Sequence, residues 1–121
     1  MSRILIVEDE PDLQELYRLE LTECGYDVSV CGDGETAVSA ARDQVFDLVV
    51  LDIKIPKREG TEVLHELKKR NREVPVILNT AYSTYKSDFS TWMADAYIVK
   101  SADLGELKDK IKELLTPQQS S

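Results

Sequence analysis

Leu48-Val49-Val50-Leu51-Asp52 is the stretch on which the fold turns: a short, continuously apolar run followed at once by a carboxylate. A run of this length, rich in β-branched and aliphatic residues and lacking polar alternation, reads as a strand covered on both faces. Four similar runs lie at Ile4 to Val7, Val28 to Cys31, Val76 to Leu78 and Ala96 to Val99. Each is followed by a stretch with helical periodicity. Strands that alternate with helices predict parallel pairing through right-handed crossovers, hence a doubly wound α/β fold with one five-stranded parallel sheet.

The helical stretches carry their own punctuation. The first opens at Pro11, which suits a first helical position. It sets Leu13, Leu16, Tyr17, Leu21 and Cys24 on one face and stops at Gly25, a left-handed cap. The second follows the turn Gly32-Asp33-Gly34 with Ala37, Val38, Ala40 and Ala41, and the third carries Val63, Leu64 and Leu67 ahead of Pro75. The fourth, Lys86 to Met93, is the weakest, being rich in Ser, Thr and aromatics; the fifth aligns Leu104, Leu107, Ile111 and Leu114.

The chain has 121 residues, room for one domain and its core but not for two. Residues 1–116 form that domain in this reading, and 117–121 read as a disordered tail or the start of a linker. The net charge of -8, with Lys68-Lys69-Arg70 and Arg72 as the one basic cluster, argues against nucleic-acid binding. That cluster closes the third helix, where cations suit the macrodipole. No apolar run approaches a membrane span, and Glu8-Asp9-Glu10 interrupts the first strand too soon for a signal peptide, so the cytoplasm is the expected location. Cys24 and Cys31 lack metal or redox spacing and read as reduced structural thiols; His65, the single histidine, reads as a solvated surface residue.

In open parallel sheets, ligands bind outside the carboxyl ends of the strands. Glu8 and Asp9 follow the first strand, Asp52 the third, Thr80 the fourth and Lys100 the fifth. Three carboxylates brought to one edge repel one another unless a cation intervenes. A hard divalent ion such as Mg²⁺ takes one or two carboxylates and keeps positions open for a phosphoryl ligand, while a lysine and a hydroxyl hold the remaining phosphoryl oxygens. That set describes phosphoryl transfer with a carboxylate nucleophile.

The residues Glu8-Asp9, Asp52-Ile53-Lys54-Ile55-Pro56-Lys57-Arg58-Glu59-Gly60, Thr80-Ala81 and Tyr97-Ile98-Val99-Lys100, in this order and spacing, resemble the CheY-like receiver domain of two-component response regulators. The likeness runs from Arg3 to Leu115. It implies a flavodoxin-like (βα)5 fold and a phosphorelay role, with Asp52 as phosphoacceptor. Asp9 would ligate Mg²⁺ or Mn²⁺ directly and Glu8 through a bound water, with Asp52 and the Lys54 backbone carbonyl completing the protein ligands. Thr80 and Lys100 would bind phosphoryl oxygens, and Tyr97 would be the aromatic switch that follows Thr80. The implied donor is a phosphohistidine on a sensor histidine kinase or histidine phosphotransfer protein. The implied output surface is the face of the fourth helix, fifth strand and fifth helix. Lys54 and Tyr82, each two residues beyond a site residue, would rim the mouth of the site.

Two features depart from the family. Ser101 stands where a proline with a cis peptide is usual, so the Lys100–Ser101 bond is either trans or strained. The segment between Thr80 and Lys100 is also slightly short and lacks the usual small-residue helix. A dehalogenase-type phosphatase would need a general acid where Lys54 stands, and a flavin module would need a phosphate-cradling loop where Glu8-Asp9-Glu10 would repel one. A receiver-like fold without phosphorylation is disfavoured because Asp52, Asp9, Thr80 and Lys100 are all present.

Overall fold

The computed structural model describes residues 1–55, 60–81, 94–101 and 103–116. Five strands form one parallel sheet: β1 (Arg3–Val7), β2 (Asp27–Cys31), β3 (Leu48–Leu51), β4 (Val76–Thr80) and β5 (Ala96–Val99), in the order β2-β1-β3-β4-β5. The described helices are α1 (Pro11–Glu23), α2 (Gly34–Asp43), α3 (Gly60–Arg70) and α4 (Gly105–Leu115). The expected helix at Lys86 to Met93, with the rim residue Tyr82 and the tail 117–121, lies outside the described residues. The last described helix, α4, is therefore the fifth helical stretch of the sequence.

The central strands β1, β3 and β4 are buried along nearly their whole length, which is why their sequences are apolar without alternation. Alternate residues feed two cores. Leu5, Val7, Val49, Leu51, Val76 and Leu78 face α2 and α3; Ile4, Ile6, Leu48, Val50, Ile77 and Ile98 face α1 and α4. Burial of these side chains is the dominant favourable term in folding. β4 runs two residues past the expected Leu78, carrying Asn79 and Thr80 into the sheet.

Local chemistry fixes the helix ends. The amides of Gly25 and Tyr26 donate to the carbonyls of Thr22 and Leu21, and Gly25 has φ +96°, closing α1 in a left-handed turn. That turn leaves Cys24 exposed rather than on the buried stripe, so it is no core thiol; Cys31 is buried as expected, and both are free. Asp33 caps α2 by accepting from the Thr36 amide at 2.8 Å. At the start of α3, the Gly60 amide donates to the Ile53 carbonyl at 3.1 Å, and a Cβ on Gly60 would lie 2.4 Å from the Ile53 Cα. Only glycine permits so close an approach of backbone to backbone.

One side chain of the basic cluster has a different role from the one its sequence suggests. Lys68 Nζ donates to the Val74 carbonyl and to Asp95 Oδ2, each at 2.7 Å, and Asp95 Oδ2 also accepts from the Val76 amide at 2.8 Å. Lys68 thus ties the end of α3 to the starts of β4 and β5, instead of answering only to the helix dipole. No described peptide bond is cis, Lys100–Ser101 included.

Candidate functional site

The order β2-β1-β3 puts the reversal of strand order between β1 and β3, and Glu8 and Asp52 stand at the carboxyl ends of those two strands. Each site residue extends the sheet by one further backbone bond. The Glu8 amide donates to the Cys31 carbonyl at 2.9 Å, the Asp52 amide to the Val7 carbonyl at 3.1 Å, and the Lys100 amide to the Thr80 carbonyl at 2.7 Å. The ladder therefore carries its register into the site, and the positions of these residues follow from the strands below them.

Lys100 unites the cluster. Its Nζ lies 2.5 Å from Glu8 Oε1 and 2.8 Å from Asp52 Oδ2. The other oxygens have separate partners: Glu8 Oε2 accepts from the Glu10 amide and Asp52 Oδ1 from the Lys54 amide, both at 3.1 Å. Glu8 is 1% exposed and Asp52 6%, so both carboxylates are largely withdrawn from water. Asp9, by contrast, is exposed. Carboxylate oxygens of Glu8, Asp9 and Asp52 all lie within 4.8 Å of one another.

Burial pushes the Glu8 carboxyl above its usual range, against the opposing pull of Lys100 and the Glu10 amide. For Lys100, burial works against the charged form, but the bonds to Asp52 and Glu8 outweigh it and hold the ammonium above its ordinary value. The repulsion among the carboxylates is thus relieved partly from within the chain, by a lysine that stays charged.

Thr80, wholly buried, ends β4 beside Val99. Tyr97 is half-buried on β5, paired with Leu78, and packs against the core shared with α2 and α3. The Lys54 side chain is exposed. The N-cap residue of α1 is Glu10, and its side chain makes no capping bond. His65 is exposed on α3, outside this cluster.

Two contacts near the site have no counterpart in the sequence reading. Gln14 Nε2 donates to the Glu8 carbonyl at 2.5 Å, and Asn79 Nδ2 donates to the Tyr17 hydroxyl at 2.9 Å across the sheet–α1 core. Asn79 directly follows the apolar run Val76 to Leu78 and is carried into the buried end of β4. Nothing in the local sequence marks the first.

The set of oxygen donors, one half-buried ammonium and a buried hydroxyl at strand ends suits binding and transfer of a phosphoryl group. Comparison with known proteins agrees. A family model described as response regulator receiver domain matches residues 4–112. The chain is 47% identical to the response regulator TrrA of Thermotoga maritima, solved in complex with Mg²⁺ and BeF, covering 95% of this chain and all of that one, with a TM-score of 0.92. A second structure, of TrrA in complex with the histidine kinase ThkA, matches with 46% identity over 96% of this chain and 100% of the other, TM-score 0.90. The probable transcriptional regulatory protein TcrX of Mycobacterium tuberculosis is 36% identical over 93% of this chain and 49% of its own length. The chain spans about half the length of the curated relatives it matches.

Proposed function

The chain belongs to the response regulator receiver domain family, and from that premise we propose that residues 1–116 take a phosphoryl group onto Asp52 and pass the change to a partner surface. The donor is a phosphohistidine on a sensor histidine kinase or histidine phosphotransfer protein, the class of partner that TrrA meets in its complex with ThkA. The observation that carries this reading is the buried Asp52 carboxylate, 2.8 Å from the Lys100 ammonium and within reach of the Glu8–Asp9 pair.

The chain is an acceptor rather than a member of a dedicated enzyme class, and its own residues supply the catalysis. An oxygen of Asp52 attacks phosphorus as the bond from phosphorus to the donor imidazole nitrogen breaks. The imidazole keeps the bonding pair and takes a proton from solvent. Lys100, already beside Asp52, meets the charge on the phosphoryl oxygens, and the Thr80 hydroxyl donates to one of them.

The donor set fits a hard divalent ion, Mg²⁺ or Mn²⁺: all its ligand atoms are oxygens, and exposed Asp9 opens it to solvent. Asp9, Asp52 and the Lys54 carbonyl would hold the ion directly. Glu8, with one oxygen on Lys100 and the other on the Glu10 amide, would act through a water. When bound, the cation neutralises charge that builds on the phosphoryl oxygens. Later attack by water on the aspartyl phosphate returns the domain slowly to rest, and the exposed Lys54 side chain rims the path of that water. The domain works in the cytoplasm in this reading, where free Cys24 and Cys31 stay reduced. No described helix is long and apolar enough to cross a membrane.

The response is a shift of a pre-existing equilibrium in which Thr80 and Tyr97 move together and reshape the surface of β5 and α4. Addition of beryllofluoride with Mg²⁺, followed by amide NMR, tests both halves of the proposal. Shifts should spread from Asp52 through Thr80 to β5 and α4. Shifts confined to the surroundings of Asp52 would leave Tyr97 as a plain strand aromatic, and no shifts at all would remove the phosphoacceptor.

A further inference from the structure

A single peptide unit joins Glu8 to Asp9, and its orientation governs where exposed Asp9 can aim. On the upstream side the Glu8 amide is fixed to the Cys31 carbonyl of β2 at 2.9 Å. On the downstream side the Glu8 carbonyl accepts a hydrogen bond from Gln14 Nε2 at 2.5 Å. Gln14 is half-buried in the first turns of α1, and its backbone amide donates to the Glu10 carbonyl at 2.9 Å. Gly32 closes the other side: a Cβ there would stand 3.4 Å from Gln14 Nε2. The amide is thus held between the helix and the end of β2, with its donor turned to the peptide that links the acidic pair.

Without that donor, the Glu8 carbonyl loses its Gln14 partner and the peptide plane is held less tightly, by the hydrogen bonds of the Glu8 and Glu10 amides alone. Asp9 is too exposed to be held by packing, so its carboxylate would leave the common focus it shares with Glu8 and Asp52. We infer that Gln14 is a positioning residue for the divalent cation, fixing the Glu8–Asp9 peptide so that the carboxylates converge before the ion arrives. The inference rests on the phosphoacceptor reading above and assigns within it a residue that touches neither metal nor phosphorus. Partners of this indirect kind commonly change metal affinity by about 10- to 100-fold.

The test uses the whole chain with Mg²⁺ itself. Gln14→Met keeps the length and removes the donor; Gln14→Glu keeps the shape, removes the donor and adds a negative charge, which alone would strengthen cation binding. Mg²⁺ is titrated by NMR or calorimetry, and the metal dependence of labelling by acetyl phosphate is measured beside it. Both variants should bind Mg²⁺ about ten-fold more weakly, raising the half-saturating metal concentration while the labelling rate at saturating metal stays unchanged. Wild-type affinity in Gln14→Met, tighter binding in Gln14→Glu, or a lower plateau rate with an unmoved half-saturation point would each overturn the assignment. A wild-type chain that does not bind Mg²⁺ would instead remove the phosphoacceptor reading beneath it.

Discussion

The Lys100 ammonium lies 2.8 Å from Asp52 Oδ2, joining the end of the edge strand β5 to that of β3. With its second contact on Glu8, Lys100 occupies charge that a divalent cation would otherwise neutralise. Lys100→Met should therefore bind Mg²⁺ more tightly than wild type, yet take up phosphoryl from acetyl phosphate about 100-fold more slowly, as loss of a preorganised charge at the reacting group does. Metal titration beside labelling kinetics checks it. Unchanged metal affinity together with unchanged labelling would show that Lys100 takes no part.

The bond between Asn79 and Tyr17 supports a second prediction. Both residues are buried, and Asn79 precedes Thr80 on β4. Tyr17→Phe removes the hydroxyl that accepts from the Asn79 amide and should destabilise the fold by about 1–3 kcal/mol, the desolvation cost of an orphaned buried donor. Replacing both partners in Tyr17→Phe/Asn79→Leu should recover much of the loss, because paired apolar replacements leave nothing unsatisfied. Urea unfolding of the four proteins measures the cycle; additive losses would show that the two side chains do not depend on each other.

How much of this was legible in the sequence depends on the range of the interaction. The apolar runs read as strands because burial on both faces leaves no alternation, and parallel strands then bring Glu8, Asp52, Thr80 and Lys100 to one edge. Tyr17 and Asn79 are 62 residues apart and Lys68 and Asp95 are 27 apart, so those pairs exist only once the layers pack. Cys24 misled because helical periodicity was extended one residue past the last regular turn, where the chain turns out into solvent. Gln14 was missed because its partner is a backbone carbonyl, which no side-chain pattern announces.

Lys54 is exposed two residues beyond Asp52, and its amide is already tied to Asp52 Oδ1 at 3.1 Å. With Lys54 at the rim of the site, as proposed above, its long side chain would obstruct the water that must approach phosphorus in line. Lys54→Ala should speed dephosphorylation several-fold, and Lys54→Ala with Tyr82→Ala should speed it further, Tyr82 being outside the described residues. Decay of the labelled protein is followed after removal of the phosphodonor. Equal rates in wild type and variants would mean that the rim does not gate water.

In the proposed function Asp52 receives the phosphoryl group only with a divalent cation at hand. Incubation with acetyl phosphate and Mg²⁺, followed by intact mass measurement, tests it most directly. A single phosphoryl adduct should form on the wild-type chain, vanish in Asp52→Asn and fail to form when a chelator replaces Mg²⁺. An adduct that persists in Asp52→Asn, or forms equally well in chelator, would rule out Asp52 as a metal-dependent phosphoacceptor.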